Sequence, residues 1–347
     1  MYFDVSAMSF ASLLIWEKSR QIFRRQDRHK HRQKNCQQTL LFLLLSFALS
    51  GCSVNGSGVP VPPSSARPAA TQSNSAANSY SPGRPYESRT FITRAGDRRH
   101  YLFRLPAGFE QDSCADVIFD FHGAGSTAER EFRYSGFAAL ADREGIILVH
   151  PDANKIYIDP QHRLASYWDN AWEANLRERN YDLNFILELV DTIKAEHCAQ
   201  DFFATGMSAG GDMVSALACL VDTPFKAFAP VTYRYYNDAE CGAAGPRPLL
   251  SFHGDADRTV PIEGFGEPMS EVMRRWATHN SCDRQAFTQR ISTNVLRYYW
   301  RNCAAETEWY LIEGDGHAWP GGGSSAGIER ETEELSASEL IWDFFKQ

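Results

Sequence analysis

The chain has 347 residues, 43% of them hydrophobic and 13% aromatic, which is enough apolar material for a substantial core and one catalytic-sized domain. Its formal charge of −8 is unevenly spread: residues 1–52 hold eight Lys and Arg against three acids, so the rest of the chain carries −13. An acidic body does not attract phosphate backbones, which sets nucleic acid aside as a partner and suits a neutral substrate.

A basic stretch over 24–34 leads into an apolar run over 39–49, followed by Ser50, Gly51 and Cys52, the order of a secretory signal peptide. The run is well short of the roughly 20 residues that cross a bilayer as a helix. Leu49-Ser50-Gly51-Cys52 resembles the bacterial lipobox, which would make Cys52 the acylated first residue of a cell-envelope lipoprotein held at a membrane by its lipid. Residues 53–87 are Ser, Pro, Ala, Asn and Gly with almost no large apolar side chains, a composition that does not offset the entropy of ordering and reads as a tether. The expected organisation is a signal peptide with lipobox over 1–52, the tether over 53–87 and a catalytic domain over 88–347.

Within that domain, short β-rich runs alternate with amphipathic helices, the pattern of an α/β fold with a mostly parallel sheet covered on both faces. Segments 91–94 and 101–105 predict an opening hairpin. Val117 to Phe121 is a buried strand ending in His122-Gly123-Ala124-Gly125, and a second strand over 146–150 ends in Pro151-Asp152. A helix is expected between them over 131–143. Leu183, Ile186, Leu187, Val190 and Ile193 recur at helical spacing and predict a helix over 182–197. A strand over 201–205 and a helix over 209–221 follow. Further strands are expected over 227–231, 248–252 and 309–312, with a closing helix carrying Leu340, Ile341, Phe344 and Phe345.

Six cysteines fall in the domain, Cys114, Cys198, Cys219, Cys241, Cys282 and Cys303, with no C-x-x-C pair of the zinc or redox kind. An even number behind an export leader predicts three disulfides and an oxidising compartment.

The predicted strand over 201–205 runs through Gly206-Met207-Ser208-Ala209-Gly210-Gly211 into a helix. This G-x-S-x-G places a serine on a sharp strand-to-helix turn, with glycines that let neighbouring chain approach and a helix whose positive end faces developing negative charge. A serine hydroxyl is a poor nucleophile at neutral pH and needs an imidazole held by a carboxylate. In this fold the partners follow in the order Ser, Asp, His. Two strands downstream end in His253-Gly254-Asp255-Ala256-Asp257 and in Glu313-Gly314-Asp315-Gly316-His317. Ser208 is therefore the expected nucleophile, His317 the base and Asp257 the acid, with Asp255 as competitor and Asp315 disfavoured by its closeness to His317. The oxyanion donors are expected to be the amide of Ala209 and one from the Gly123-Ala124-Gly125 loop, Ala124 ahead of Gly125. No metal or other cofactor is expected.

Phe121-His122-Gly123-Ala124-Gly125, the serine motif, His253-Gly254-x-x-Asp257 with Val260-Pro261, and Gly316-His317-Ala318-Trp319-Pro320-Gly321 together resemble the polyhydroxybutyrate depolymerase and feruloyl esterase family of secreted carbohydrate esterases, within the α/β-hydrolases. The resemblance covers 88–347 and implies hydrolysis of feruloyl or acetyl-xylan esters, or alternatively of short hydroxyalkanoate chains, so the expected partner is an ester-bearing polysaccharide or polyester. In that fold the strands after Cys114 and Cys198 are neighbours, which predicts that these two cysteines pair. Chain proximity and the resemblance pair Cys219 with Cys241 and Cys282 with Cys303. Trp168, Trp172 and Trp319 are candidates to line the substrate pocket, and the stretch Tyr233 to Tyr236 departs from the family pattern. A secreted serine peptidase and an inactive surface-binding lipoprotein are the rival classes.

Overall fold

The computed structural model describes residues 85–110, 112–158, 164–168, 181–233, 241, 243–264, 267–322 and 332–347. The leader, Cys52, nearly all of the tether, Trp172 and Arg234 to Tyr236 lie outside the described residues. The chain divides into two units, Met1–Thr71 and Gln72–Gln347, and every described residue belongs to the second.

The hairpin of β1 (Glu87–Ile92) and β2 (Arg98–Arg104) opens the domain. Glu87 already pairs with Phe103, and the ring of Tyr86 stands edge-on to Phe132 at 4.9 Å. The next strands are β3 (Cys114–Phe121) and β4 (Ile147–Pro151). Five consecutive residues of β3, Val117 to Phe121, are buried, as expected of a strand covered on both faces. Between them the expected single helix is two, α1 (Ala128–Ser135) and α2 (Phe137–Glu144), separated by Gly136 at φ 70°, a left-handed conformation that ends the first helix.

A small antiparallel hairpin, β5 (Lys155–Ile158) and β6 (Leu164–Tyr167), stands apart from the main sheet. Then come α3 (Tyr181–Glu196), β7 (Cys198–Met207), α4 (Ala209–Ala218), β8 (Ala227–Val231) and β9 (Leu249–Gly254). Sequence reasoning missed the next three elements, α5 (Met269–His279), β10 (Phe287–Arg290) and β11 (Val295–Tyr299); β12 (Thr307–Ile312) and α6 (Ala337–Phe345) close the chain. The ten-stranded sheet runs β1-β2-β4-β3-β7-β8-β9-β12-β11-β10, parallel from β4 to β12 and antiparallel at both ends. This is the α/β-hydrolase fold. Residues of α3, α4 and α5 fill the core on one face of the sheet, with Phe119, Phe121 and Phe228; residues of α1, α2 and α6 fill the other, with Ile118, Phe203 and Phe252.

Because β7, β8, β9 and β12 are parallel neighbours, the loops at their carboxyl ends share one edge, and that is where Ser208, Asp257 and His317 stand. The disulfides hold the opposite end and the flank. Cys114 and Cys198 are register partners on β3 and β7 with Cα atoms 4.5 Å apart; Cys219–Cys241 and Cys282–Cys303 have Cα atoms 4.2 and 3.9 Å apart. The Cys114–Cys198 bridge closes the longest loop, 84 residues. Replacing both of its cysteines by Ala should lower unfolding free energy by about 2–5 kcal/mol, measured by denaturant titration against wild type under non-reducing conditions. A shift of under about 0.5 kcal/mol would show that the loop is already confined without it.

Candidate active site

Ser208 occupies φ 57°, ψ −120°, a conformation that a residue with a Cβ adopts only under constraint. The constraint is visible at both ends of the residue. Its amide donates to the Val231 carbonyl at 2.9 Å, and its carbonyl accepts the Asp212 amide at 2.9 Å, which starts α4. The motif's glycines are required by close approach. A Cβ on Gly206 would lie 2.6 Å from the Phe121 carbonyl oxygen and one on Gly210 1.9 Å from the same atom, while one on Gly211 would meet the Tyr233 Cβ at 2.8 Å. The turn is thus pressed onto the end of β3, with its serine at the start of a helix.

On the adjoining loops, His317 Nδ1 lies 2.8 Å from Asp257 Oδ2. Asp257 Oδ1 accepts the amides of Thr259 and Val260 at 2.8 and 2.7 Å. Burial pushes this carboxyl up, but the His317 hydrogen bond and charge, the Val260 amide and nearby His253 together hold it below the usual carboxylate range. It remains the anion that an imidazolium needs. The His317 side chain keeps 15% of its surface open, whereas the Asp257 carboxylate is fully covered. His253 donates from Nε2 to the Val260 carbonyl at 2.8 Å and fixes the turn that carries Asp257; burial lowers its own pKa, so it is neutral.

The two competing carboxylates are engaged elsewhere. Asp255 Oδ1 accepts the Gly314 amide at 2.6 Å, and Asp315 Oδ2 accepts the Thr332 amide at 2.6 Å. Both therefore brace the histidine loop from the backbone, and Asp257 is the carboxylate in contact with the imidazole.

The loop after β3 faces the serine from the other side. A Cβ on Gly123 would sit 3.4 Å from the Ser208 Cβ and 4.0 Å from its Oγ. Gly123 accepts the Ser126 amide at 3.1 Å across Ala124 and Gly125, the latter at φ 69°, a turn that needs a glycine at its third position. Buried His122 donates from Nδ1 to the Gly123 carbonyl at 2.8 Å and accepts the Ala153 amide on Nε2 at 3.1 Å, while the Trp168 indole donates to the His122 carbonyl at 2.7 Å. Burial lowers the pKa of His122, in keeping with this neutral tautomer. Ala209, first residue of α4, offers one of the amides that a helix leaves without an internal partner.

No family model matches the chain. Among curated proteins it is 24% identical over 267 residues to feruloyl esterase B of Piromyces equi, a match covering 72% of this chain and 45% of that one. It is 22% identical over 251 residues to a probable feruloyl esterase C of Aspergillus terreus, covering 71% of this chain and 83% of that one. The chain has the α/β-hydrolase fold and is similar in sequence to proteins named feruloyl esterases. Among solved structures, an acetyl xylan esterase from Aspergillus awamori superposes with TM-score 0.55 at 16% identity, over 75% of this chain and 98% of that one, a likeness of fold.

Two of the tryptophans expected to line a pocket, Trp319 and Trp168, need correction. Trp319 is 0% exposed: its ring meets Phe137 edge-on at 5.9 Å, its indole donates to Ser338 Oγ at 3.0 Å and its amide donates to Tyr134 Oη at 2.9 Å. Trp168 is 1% exposed and packs on Phe121 and His122. Neither ring has a free face for a substrate; Trp319 anchors the histidine loop to α1 and α6, and Trp168 anchors the loop after β3. A surface cleft of about 490 Å³ lined by Arg274, Ala277, Thr278, Cys282, Asp283 and Arg284 lies on the flank and includes none of the groups above. Trp319→Phe should lower stability by about 1–3 kcal/mol through the lost Ser338 bond and lost packing. It should leave KM within about twofold of wild type. A rise of tenfold or more in KM with unchanged stability would return Trp319 to the pocket.

Proposed function

We propose that the chain is an exported serine carboxylic ester hydrolase acting on feruloyl or acetyl-xylan type esters of plant cell-wall polysaccharides. The observation that carries this reading is the 2.8 Å contact of His317 Nδ1 with the buried Asp257 carboxylate, on the same sheet edge as a serine held in a strained turn. In this scheme Ser208 Oγ attacks the ester carbonyl carbon as His317 Nε2 takes its proton; Asp257 keeps the Nδ1 proton in place and stabilises the imidazolium. Charge gathers on the carbonyl oxygen, toward the Ala209 amide and an amide of the loop after β3, Ala124 or Gly125. Collapse expels the sugar hydroxyl with the proton from His317. Water then attacks the acyl carbon as His317 takes its proton, and collapse breaks the bond to Ser208 Oγ, releases the acid and returns that proton from His317 to Oγ.

The substrate class rests on the relatives, which are named feruloyl esterases, and on the acidic body, which does not repel a neutral polysaccharide. Three disulfides support an oxidising compartment outside the cytoplasm.

Ser208→Ala should lower turnover by about four orders of magnitude or more with the fold intact, and abolish labelling by a fluorophosphonate. Asp257→Asn should cost roughly 10³–10⁴-fold, and Asp255→Asn far less because it acts only through the Gly314 amide. Retention of a tenth of wild-type activity by Ser208→Ala would remove the nucleophile assignment. Substrate class is read separately, by comparing kcat/KM on methyl ferulate, acetylated xylan and hydroxybutyrate oligomers. The first or second should lead; a lead for the hydroxybutyrate oligomers would replace the proposed substrate while leaving the mechanism standing.

A further inference from the structure

The flank cleft of about 490 Å³ has no part in the reaction above. One wall is the second half of α5, with Arg274 and Thr278, and the other is the loop that carries Cys282, Asp283 and Arg284. Asn280, which ends α5, accepts the Arg247 amide at 2.8 Å and donates to Thr307 Oγ1 at 2.8 Å. The cleft therefore stands by the amino ends of β9 and β12, whereas Asp257 and His317 follow their carboxyl ends. Its second wall is fixed. The Cys282–Cys303 disulfide joins it to the connection between β11 and β12, and the Asp283 amide donates to the Arg301 carbonyl at 2.9 Å.

Two arginines on this flank have no acid to neutralise them, while their neighbours do. Arg274 pairs with Glu271, Arg275 with Glu267 at 2.8 Å, Arg290 with Glu313 at 2.9 Å and Arg297 with Glu308. Arg284, exposed on the cleft wall, has neither an ion pair nor a hydrogen bond from its guanidinium among the described residues. Arg301 has no ion pair there either. Its guanidinium lies 3.8 Å from the centre of the Phe287 ring and donates one hydrogen bond, to Tyr299 Oη at 3.2 Å. Phe287 and Tyr299 are register partners on β10 and β11 with ring centres 5.6 Å apart, and the Phe287 side of this pair is 39% exposed. The Asp283–Arg301 backbone bond makes this ring pair continuous with the cleft.

We propose that this cleft, with the Phe287–Tyr299 pair beside it, is a second binding site, apart from Ser208, for a polysaccharide that carries scattered uronic-acid carboxylates, with Arg284 and Arg301 as their partners. The choice of a sugar polymer rests on the polysaccharide reading above; the binding itself needs no turnover. A guanidinium offers N–H donors in a planar fork that fits a carboxylate, and the C–H face of a sugar ring packs on an aromatic side chain. Each exposed contact is weak, so a polymer that repeats them is held far better than a single sugar. The chain beyond residue 52 carries −13, which repels a densely charged polyanion and suits a polymer with few carboxylates. β10 edges the sheet at the opposite side from β1, the strand nearest in sequence to any amino-terminal anchor, which favours a polymer over a lipid headgroup as the occupant.

Affinity electrophoresis tests it, with the protein carrying Ser208→Ala so that the polymer is not altered during the run. Three gels hold a glucuronic-acid-substituted xylan, the same xylan with its carboxyl groups reduced to alcohols, or no polymer. Retardation is expected in the first gel, with an apparent Kd at least about fivefold lower than in the second, and it should weaken as salt rises. Adding Arg284→Ala and Arg301→Ala should raise the Kd for the acidic xylan about tenfold with an unchanged thermal midpoint. No retardation by the acidic xylan, or equal retardation by the reduced one, overturns the proposal, and so does an unchanged Kd in the arginine variant. Should that variant fail to fold, the comparison of the two xylans decides. Binding to phosphatidylglycerol vesicles without retardation by xylan would assign the arginines to a membrane instead and overturn the proposal. Turnover is read separately on a soluble ester with Ser208 intact: an inactive protein that is still retarded sinks the hydrolase reading alone, and an active one that is not retarded sinks this site alone.

Discussion

The carbonyl of Phe121 is the contact on which the site depends. It ends β3, and the Cβ positions of both Gly206 and Gly210 point at its oxygen. Side chains at either position would force β3 and the serine turn apart. Without them the turn can close tightly enough for Ser208 to take φ 57° and for α4 to begin at once. The same crossing brings Gly123 against Ser208, so the serine and the facing loop are positioned by one packing event. Helix propensity argues against Gly210-Gly211 in the first turn of α4; close packing overrides it.

The loops that carry Asp257 and His317 are secured by a second interlock. A Cβ on Gly254 would meet the Asp315 carbonyl oxygen at 2.2 Å, and across this contact Ala256 donates to that same oxygen at 2.9 Å while Asp255 takes the Gly314 amide. The loops after β9 and β12 therefore behave as one body. Asp255 earns its place in the acid motif as a brace, which is why two carboxylates two residues apart have different partners. Tyr134, Trp319 and Ser338 extend the body to α1 and α6.

Much of this was legible in the sequence, and what was missed has physical causes. Parallel strands such as 117–121 and 227–231 are buried on both faces, so they stand out as apolar runs. β10 reads Phe-Thr-Gln-Arg and is exposed at all four positions, so it has no apolar signature to find. The split at Gly136 was hidden because Phe132, Phe137, Leu140 and Ala141 face the same core across the break. α5 was readable, since Met269, Val272, Met273 and Trp276 are spaced at helical intervals. In the site, the order of motifs identifies the residues that meet at the imidazole, but it does not say which way a neighbouring ring turns. Trp319 stands two residues from His317, and its partners are 19 and 185 residues away.

Charge placement around the serine follows a single rule. On the His317 side, burial of the Asp257 carboxylate is outweighed by the imidazole, the Val260 amide and nearby His253, which hold it below the usual carboxylate range. On the facing side burial drives His122, Asp120, Glu131 and His150 toward their uncharged forms, while Asp152, 3.7 Å from His122, is held below the usual carboxylate range by His100 and the Ala128 amide. Both sides use low polarity, with opposite outcomes set by the donors available. Asp257 has amides and an imidazole, so its charge survives burial; Asp120 has only a hydroxyl already committed elsewhere, so its charge does not. Two buried aspartates, one in β3 and one in the loop after β9, are thus pushed in opposite directions by their surroundings.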